Sequence, residues 1–191
     1  LRNHNFNKAI EIVSMADIPA GSGLGSSSSY TVGLLNALRT SKRDYISLEA
    51  LAEEACEIEI DILKKPMGKQ DQYLAVYGGF TVLEISRDGN VSVTRANVNS
   101  STIEDLKRNL IMFYTGQERE NKQILESQSK STEKGEKKVM ESLHYIKESG
   151  YKILEIVEKG NITDLGIMFD KHWQYKKRMA KGISNKHYDT I

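Results

Sequence analysis

Apolar and polar residues alternate over residues 10–15, the period of a half-buried strand, and this stretch runs straight into a Pro/Gly/Ser-rich loop at 19–29. Residues 26–39 contain no proline, and Tyr30, Leu34, Leu35 and Leu38 recur at helical spacing. That pattern predicts a helix whose first turn is made of serines. Ser47 is placed to cap a second helix ending near Leu63, with Pro66 and Gly68 closing it. Residues 80–85 and 91–94 are β-branched runs around Arg87-Asp88-Gly89-Asn90, the signature of a tight hairpin. The apolar run at 110–115 is short enough to be a buried strand. Helical stretches at 118–128, 139–159 and 163–181 fill the second half. They are separated by the charged segment 130–138, read as a solvated helix end or loop, and by Gly160. This order predicts an α+β chain without internal repeats, with residues 1–100 as one domain and 101–191 as a more helical second one.

Composition narrows the class. With 39% hydrophobic and 28% charged residues, the 191-residue chain has enough apolar side chains for a core and too little charge imbalance for disorder. Lys+Arg 27 against Asp+Glu 26 leaves no basic field to attract nucleic acid or an acidic membrane. Cys56 is the only cysteine, so no internal disulfide forms and a reducing compartment, the cytoplasm, is expected. No apolar run approaches the roughly 20 residues of a membrane helix, and the first eight residues lack a signal-peptide core. The chain begins at Leu1, not Met, which suggests processing, trimming or an origin inside a longer reading frame. His4, His144, His172 and His187 lack zinc-ligand spacing. Tyr151, Phe169, Trp173 and Tyr175 read as helix packing residues, although Trp173 stands beside Lys176 and Lys177, which can meet a phosphate.

Three segments carry chemistry. In Pro19-Ala20-Gly21-Ser22-Gly23-Leu24-Gly25-Ser26-Ser27-Ser28-Ser29, alternate glycines permit positive φ and close approach of a ligand, and the following helix presents unpaired amides. A helix N-terminus built this way binds anions without a lysine. The loop lacks the Gly-Lys-Ser/Thr of a Walker A sequence, and its third glycine comes one place early for a dinucleotide fingerprint. A flexible linker is the competing reading, but linkers do not join a strand directly to an apolar-faced helix. Glu59 falls in the middle of a helical stripe formed by Leu48, Leu51, Ala52, Ala55 and Ile62. A carboxylate buried there needs a partner, whether the cation of a structural salt bridge, a metal ion or a catalytic cluster. In Gly68-Lys69-Gln70-Asp71-Gln72-Tyr73, Asp71 is placed either to take a proton from a hydroxyl or to cap a helix.

Residues 19–29 resemble the signature P-x-x-x-G-L-G-S-S-[AS]-[AS] of the GHMP kinase superfamily, which includes galactokinase, homoserine kinase and mevalonate kinase. Glu59, Pro66, Gly68 and Asp71 repeat the spacing of its galactokinase-like members. The sequence around these motifs, with Phe113-Tyr114-Thr115-Gly116 and the Trp173 to Lys177 element, looks most like the branch acting on D-glycero-D-manno-heptose 7-phosphate. The resemblance implies a two-domain fold and ATP-dependent phosphorylation of a sugar's anomeric hydroxyl. It also implies that Pro19, Gly21, Ser22, Gly23, Leu24, Gly25, Ser26 and Ser27 wrap the ATP phosphates. By the same carry-over, Ser27 and Glu59 hold magnesium, and Asp71 orients or deprotonates the attacking hydroxyl.

Two family elements do not appear in these residues: the opening Gly-Gly-x-Thr-Asp-like segment and the late K-L-x-G-A-G-G-G-G-F segment. The resemblance is therefore to a fold incomplete at both ends. Residues 1–191 alone are expected not to phosphorylate sugar, and to leave an edge beside residues 10–15 that another copy of the chain can pair with. A kinase for another sugar or a mevalonate-type substrate is one alternative. A non-catalytic GHMP-fold protein that binds sugar or nucleotide is the other, and it should have lost Asp71.

Overall fold

The computed structural model describes residues 9–17, 23–113, 121–186 and 188–190. The chain divides into two compact units, Leu1–Gly78 and Gly79–Ile191. The parting thus falls before the hairpin, whereas the sequence places a domain boundary near residue 100. The backbone N–H of Asn97, just after the hairpin, donates to Glu158 Oε1 at 2.8 Å, and a groove of about 960 Å³ is lined by hairpin residues together with Ile146, Leu154 and Val157. Those contacts tie the hairpin to the later helices.

In the first unit α1 (Ser26–Ser41) begins at Gly25, whose φ of 68° is left-handed backbone that suits glycine. Helix α2 (Leu48–Cys56) is capped as expected, Ser47 accepting from the Ala50 N–H at 3.1 Å. It then widens into a π turn (Glu57–Ile62), marked by the Leu63 N–H bonding to Ile58 O at 2.9 Å, five residues back. Helix α3 (Gln70–Tyr77) follows a short loop. Val32 and Leu35 of α1 pack with Leu51 and Ala55 of α2, and Ile46, Ile58 and Val76 close over them. Burial of each large aliphatic side chain there stabilises by about 1.5–3 kcal/mol. The buried stripes are shifted from those read in the sequence: Tyr30, Leu48 and Ile62 are exposed, and Ser28, Val32 and Cys56 are buried. The π turn explains Ile62, because its wider turn carries the chain round by less per residue and swings the last positions out of the stripe.

In the second unit β1 (Thr81–Ile85) and β2 (Val91–Arg95) form the expected antiparallel hairpin, with Leu83 opposite Val93. Gly89 takes the positive φ its turn requires, 85°. Helix α4 (Ser100–Asn109) was not legible as a helix, yet Asn99 caps it by accepting from the Thr102 N–H at 2.8 Å. Helices α5 (Asn121–Glu133), α6 (Lys137–Glu158) and α7 (Ile162–Lys176) occupy the expected helical half. The charged segment makes the end of α5, a turn and the start of α6, as its composition suggests. Val139, Val157 and Leu165 are buried among these helices, and Tyr145 stacks on Tyr175 with ring centres 3.7 Å apart.

Two expected strands do not form among the described residues. Residues 10–15 and 110–113 are outside any ladder, and their apolar side chains are exposed, Met15 at 93% and Met112 at 78%. A strand needs a neighbour to take its N–H and C=O groups, and no described segment supplies one. Thr115, the end of the second run, lies outside the described residues, as does Gly116. The α+β class holds, with a two-stranded sheet among the described residues. No helix there is long and apolar enough to cross a membrane.

Candidate active site

The first unit gathers Ser27, Ser28, Glu59, Lys65, Gln72 and Asp71 at the N-terminus of α1. Ser27 and Ser28 enter from the first turn of α1, Glu59 from the π turn and Gln72 from α3. Ser28, Glu59 and Gln72 are fully buried. Glu59 Oε1 accepts from Ser27 Oγ at 2.5 Å and from Lys65 Nζ at 2.7 Å. Its Oε2 accepts from Ser28 Oγ at 2.7 Å and from Gln72 Nε2 at 2.8 Å. Burial alone would raise its pKa, but the hydrogen bonds from Lys65, Ser27, Ser28 and Gln72 outweigh it and hold the carboxyl below the ordinary glutamate range. The salt-bridge partner that Glu59 requires is therefore Lys65.

Asp71 lies in the first turn of α3, and Lys69 occupies the N-cap position without a side-chain cap bond. Asp71 is thus not the cap of that helix. Its carboxylate points at the loop: a Cβ built on Gly25 would stand 3.5 Å from Asp71 Cγ. No described residue hydrogen-bonds the Asp71 side chain. Burial raises its pKa, and the negative charge of Glu59 raises it further. Glu59 and Asp71 are two nearby carboxylates whose surroundings push their proton affinities in opposite directions, the arrangement that separates an ion-holding group from a proton-accepting one.

A second cluster fixes the start of α3. Lys69 Nζ donates to both Glu53 oxygens at 2.9 Å, and the hydroxyl of the buried Tyr73 also donates to Glu53. Burial tends to raise the Glu53 pKa, but these bonds bring it down. Cys56 is buried beside them, and burial, then the Glu53 charge, push its thiol up to about 12.

Of the expected phosphate-loop residues, Gly23, Leu24, Gly25, Ser26 and Ser27 are described, and Pro19, Gly21 and Ser22 lie outside the described residues. Gly23 and Gly25 both have positive φ, 76° and 68°. The amides at the start of α1 precede the first intrahelical bond, Ser29 N–H to Gly25 O at 3.0 Å, so they are free to meet an anion. Ser28, Lys65 and Gln72 were missed from the sequence as partners of Glu59. The signal for Lys65 was its place six residues after Glu59 and directly before a proline.

The donors also fit a divalent cation. Ser27 Oγ and Glu59 Oε1 are hard oxygens, and both already contact one cationic group, Lys65 Nζ. Mg²⁺ is commonly held by one or two protein oxygens, with substrate phosphates and water completing its shell. Such a site does not require a cluster of three His, Cys, Asp or Glu ligands, and none occurs among the described residues. The Trp173 element takes a different arrangement: Lys177 pairs with Asp189 at 3.1 Å and lies 5.9 Å from the Trp173 ring centre.

Comparisons with known proteins relate the chain to sugar kinases. Residues 1–79 match the GHMP kinases N terminal domain. The chain is 31% identical to the D-glycero-alpha-D-manno-heptose 7-phosphate kinase of Campylobacter jejuni, over 92% of this chain and 51% of that protein. It is 27% identical to the L-fucokinase/L-fucose-1-P guanylyltransferase of Bacteroides fragilis, over 98% of this chain and 20% of that one. A crystal structure of a D-glycero-D-manno-heptose 1-phosphate kinase from Bacteroides thetaiotaomicron superposes with a TM-score of 0.70 at 26% identity, covering 87% of this chain and 48% of that chain. The chain spans about half the length of the heptose 7-phosphate kinase it matches. The α+β fold is thus of the GHMP-kinase type.

Proposed function

Since the chain belongs to the GHMP kinase superfamily, we propose that it carries the phosphate loop and the phosphoryl-transfer residues of an ATP-dependent sugar kinase. The acceptor is the anomeric hydroxyl of a sugar phosphate, D-glycero-D-manno-heptose 7-phosphate. The observation that carries this reading is the placement of Asp71, a half-buried carboxylate with raised proton affinity facing the glycine loop.

In this reaction the sugar oxygen forms a bond to the γ-phosphorus of ATP as the bridge to the β-phosphate breaks and ADP leaves. Asp71 receives the hydroxyl proton. The amides from Gly23 to Ser27 hold the phosphates, a role that Pro19, Gly21 and Ser22 of the same motif share. Ser27 and Glu59 hold Mg²⁺, which supplies neutralisation of the phosphate charge when bound. Phosphoryl transfer depends mainly on such alignment and charge compensation, and these residues provide both. Glu53, Lys69 and Tyr73 act at one remove by fixing the helix start that bears Asp71. The lone Cys56 thiol agrees with a cytoplasmic setting.

The test is phosphate transfer from labelled ATP to D-glycero-D-manno-heptose 7-phosphate by the complete protein and by its Asp71→Asn variant. Transfer to the anomeric position, lowered roughly a hundredfold or more by the substitution, is expected. Likeness to an L-fucokinase favours a second reading in which another sugar is the acceptor. Transfer to L-fucose but not to the heptose phosphate establishes that reading instead.

A further inference from the structure

Lys65 stands where the proposed function requires a metal ion. Its Nζ is 2.5 Å from Ser27 Oγ and 2.7 Å from Glu59 Oε1, the same two oxygens assigned above to Mg²⁺. An ammonium and a divalent cation cannot share that position.

Three features make this ammonium able to leave. Glu59 is fully buried, but the Lys65 side chain keeps 38% of its exposure and so has a path to water. Its backbone is anchored independently of its head group, because the Lys65 N–H donates to Glu59 O at 3.0 Å, Lys64 has a positive φ of 51° and Pro66 follows. The long stem therefore swings from a fixed base. Finally, Ser28 and Gln72 hold Glu59 Oε2, so the carboxylate keeps its place when Oε1 changes partner.

We infer that Lys65 is a tethered counter-ion that fills the divalent-cation position in the metal-free protein and gives way when the metal arrives. This rests on the metal assignment to Ser27 and Glu59, and goes beyond it by naming what the metal must displace. While Lys65 is bound, the site is competent for metal only in the fraction of molecules where the ammonium has swung out. Apparent metal affinity is reduced by that fraction. The device keeps a buried carboxylate neutralised at all times, by the protein's own charge or by the ion.

Titration with Mn²⁺ alone, read by electron paramagnetic resonance, tests this on the chain and on Lys65→Met, Lys65→Arg and Glu59→Gln. Lys65→Met is expected to bind Mn²⁺ about tenfold more tightly than the parent, as removal of a competitor predicts. Lys65→Arg should stay near the parent, and Glu59→Gln should lose the site. If Lys65→Met is poorly stable, a larger rise of its melting temperature with Mn²⁺ than in the parent gives the same answer. Equal or weaker Mn²⁺ binding by folded Lys65→Met, with the site still dependent on Glu59, overturns the counter-ion role and leaves the metal site standing. Binding independent of Glu59, or none in any variant, overturns the metal assignment and this inference together.

Discussion

Gly25 and Asp71 face each other so closely that a single added carbon on the glycine would stand 3.5 Å from the carboxyl carbon of the aspartate. The space between a helix N-terminus and the Asp71 carboxylate is therefore kept open by a missing side chain, and at a backbone φ of 68° glycine is also the residue that the turn prefers.

Gly25→Ala introduces both the backbone penalty and a methyl group in that gap. The folded chain should lose about 1 kcal/mol of stability, and ATP binding in the complete protein should weaken by more than tenfold. Gly25→Val should be worse on both counts. Calorimetry with ATP, beside a denaturation curve, separates the two effects; unchanged ATP affinity in a folded variant is incompatible with the loop assignment.

Asp71→Asn should stabilise the chain while disabling transfer. The folded-state pKa of Asp71 is raised, by burial first and by Glu59 second, so its ionisation at neutral pH works against folding. An acid of this kind favours the fold below its unfolded pKa and loses that contribution as pH rises through the folded value. Asn removes the charge, and a gain of about 2 °C in melting temperature near pH 7 is expected. The gain should disappear in acid, where Asp71 is protonated anyway. A melting temperature lowered at pH 7 would contradict the placement of the carboxylate.

Glu59 has the opposite sign. Its folded pKa lies below the ordinary value of 4.5, so its contribution is complete above that range and is lost as pH falls through the folded value. The parent chain should therefore lose stability on acidification in a way that Glu59→Gln does not. Glu59→Leu should cost more than Glu59→Gln, about 2–4 kcal/mol, because it strands the buried Ser28 hydroxyl without an acceptor and leaves the Gln72 amide only the weak acceptor Met67 Sδ. Denaturant titrations at several pH values check both statements.

Glu53 and Tyr73 should be energetically coupled. Tyr73→Phe removes one donor to Glu53, at a cost of about 1 kcal/mol. Glu53→Gln in the same chain should then cost less than it does alone, with a coupling energy of about 0.5–3 kcal/mol in the double-mutant cycle. Additive effects would show that the two side chains do not act together in holding the start of α3.

Local chemistry was the legible part of this sequence. The serine cap of α2, the hairpin around Asp88-Gly89 and the glycine loop opening α1 each depend on backbone preferences expressed over four to eight residues, and all could be read directly. Helix α4 was hidden because its cap is an asparagine in a polar stretch and Thr102 is its one buried residue. Residues 10–15 and 110–113 have strand composition, but pairing is a property of two segments, and alternation in one cannot show that the other is there. At the site, a mid-stripe carboxylate announced that it needed a partner. It did not announce which one, since Ser28, Lys65 and Gln72 reach Glu59 only once the π turn, the loop before Pro66 and α3 have brought them round.

Cys56 gives the protein a chemical clock for its own opening. It is the only thiol in the chain and is separated from Glu59 by less than one helical turn. Cys56 is 2% exposed and burial pushes its thiol up to about 12, so a water-soluble alkylating reagent captures it in molecules where α2 has come away from its neighbours. The rate of alkylation at neutral pH therefore counts excursions of the region that holds Glu59, with no label to engineer. Any ligand that truly clamps this region has to slow that clock, whatever the assay used to find it.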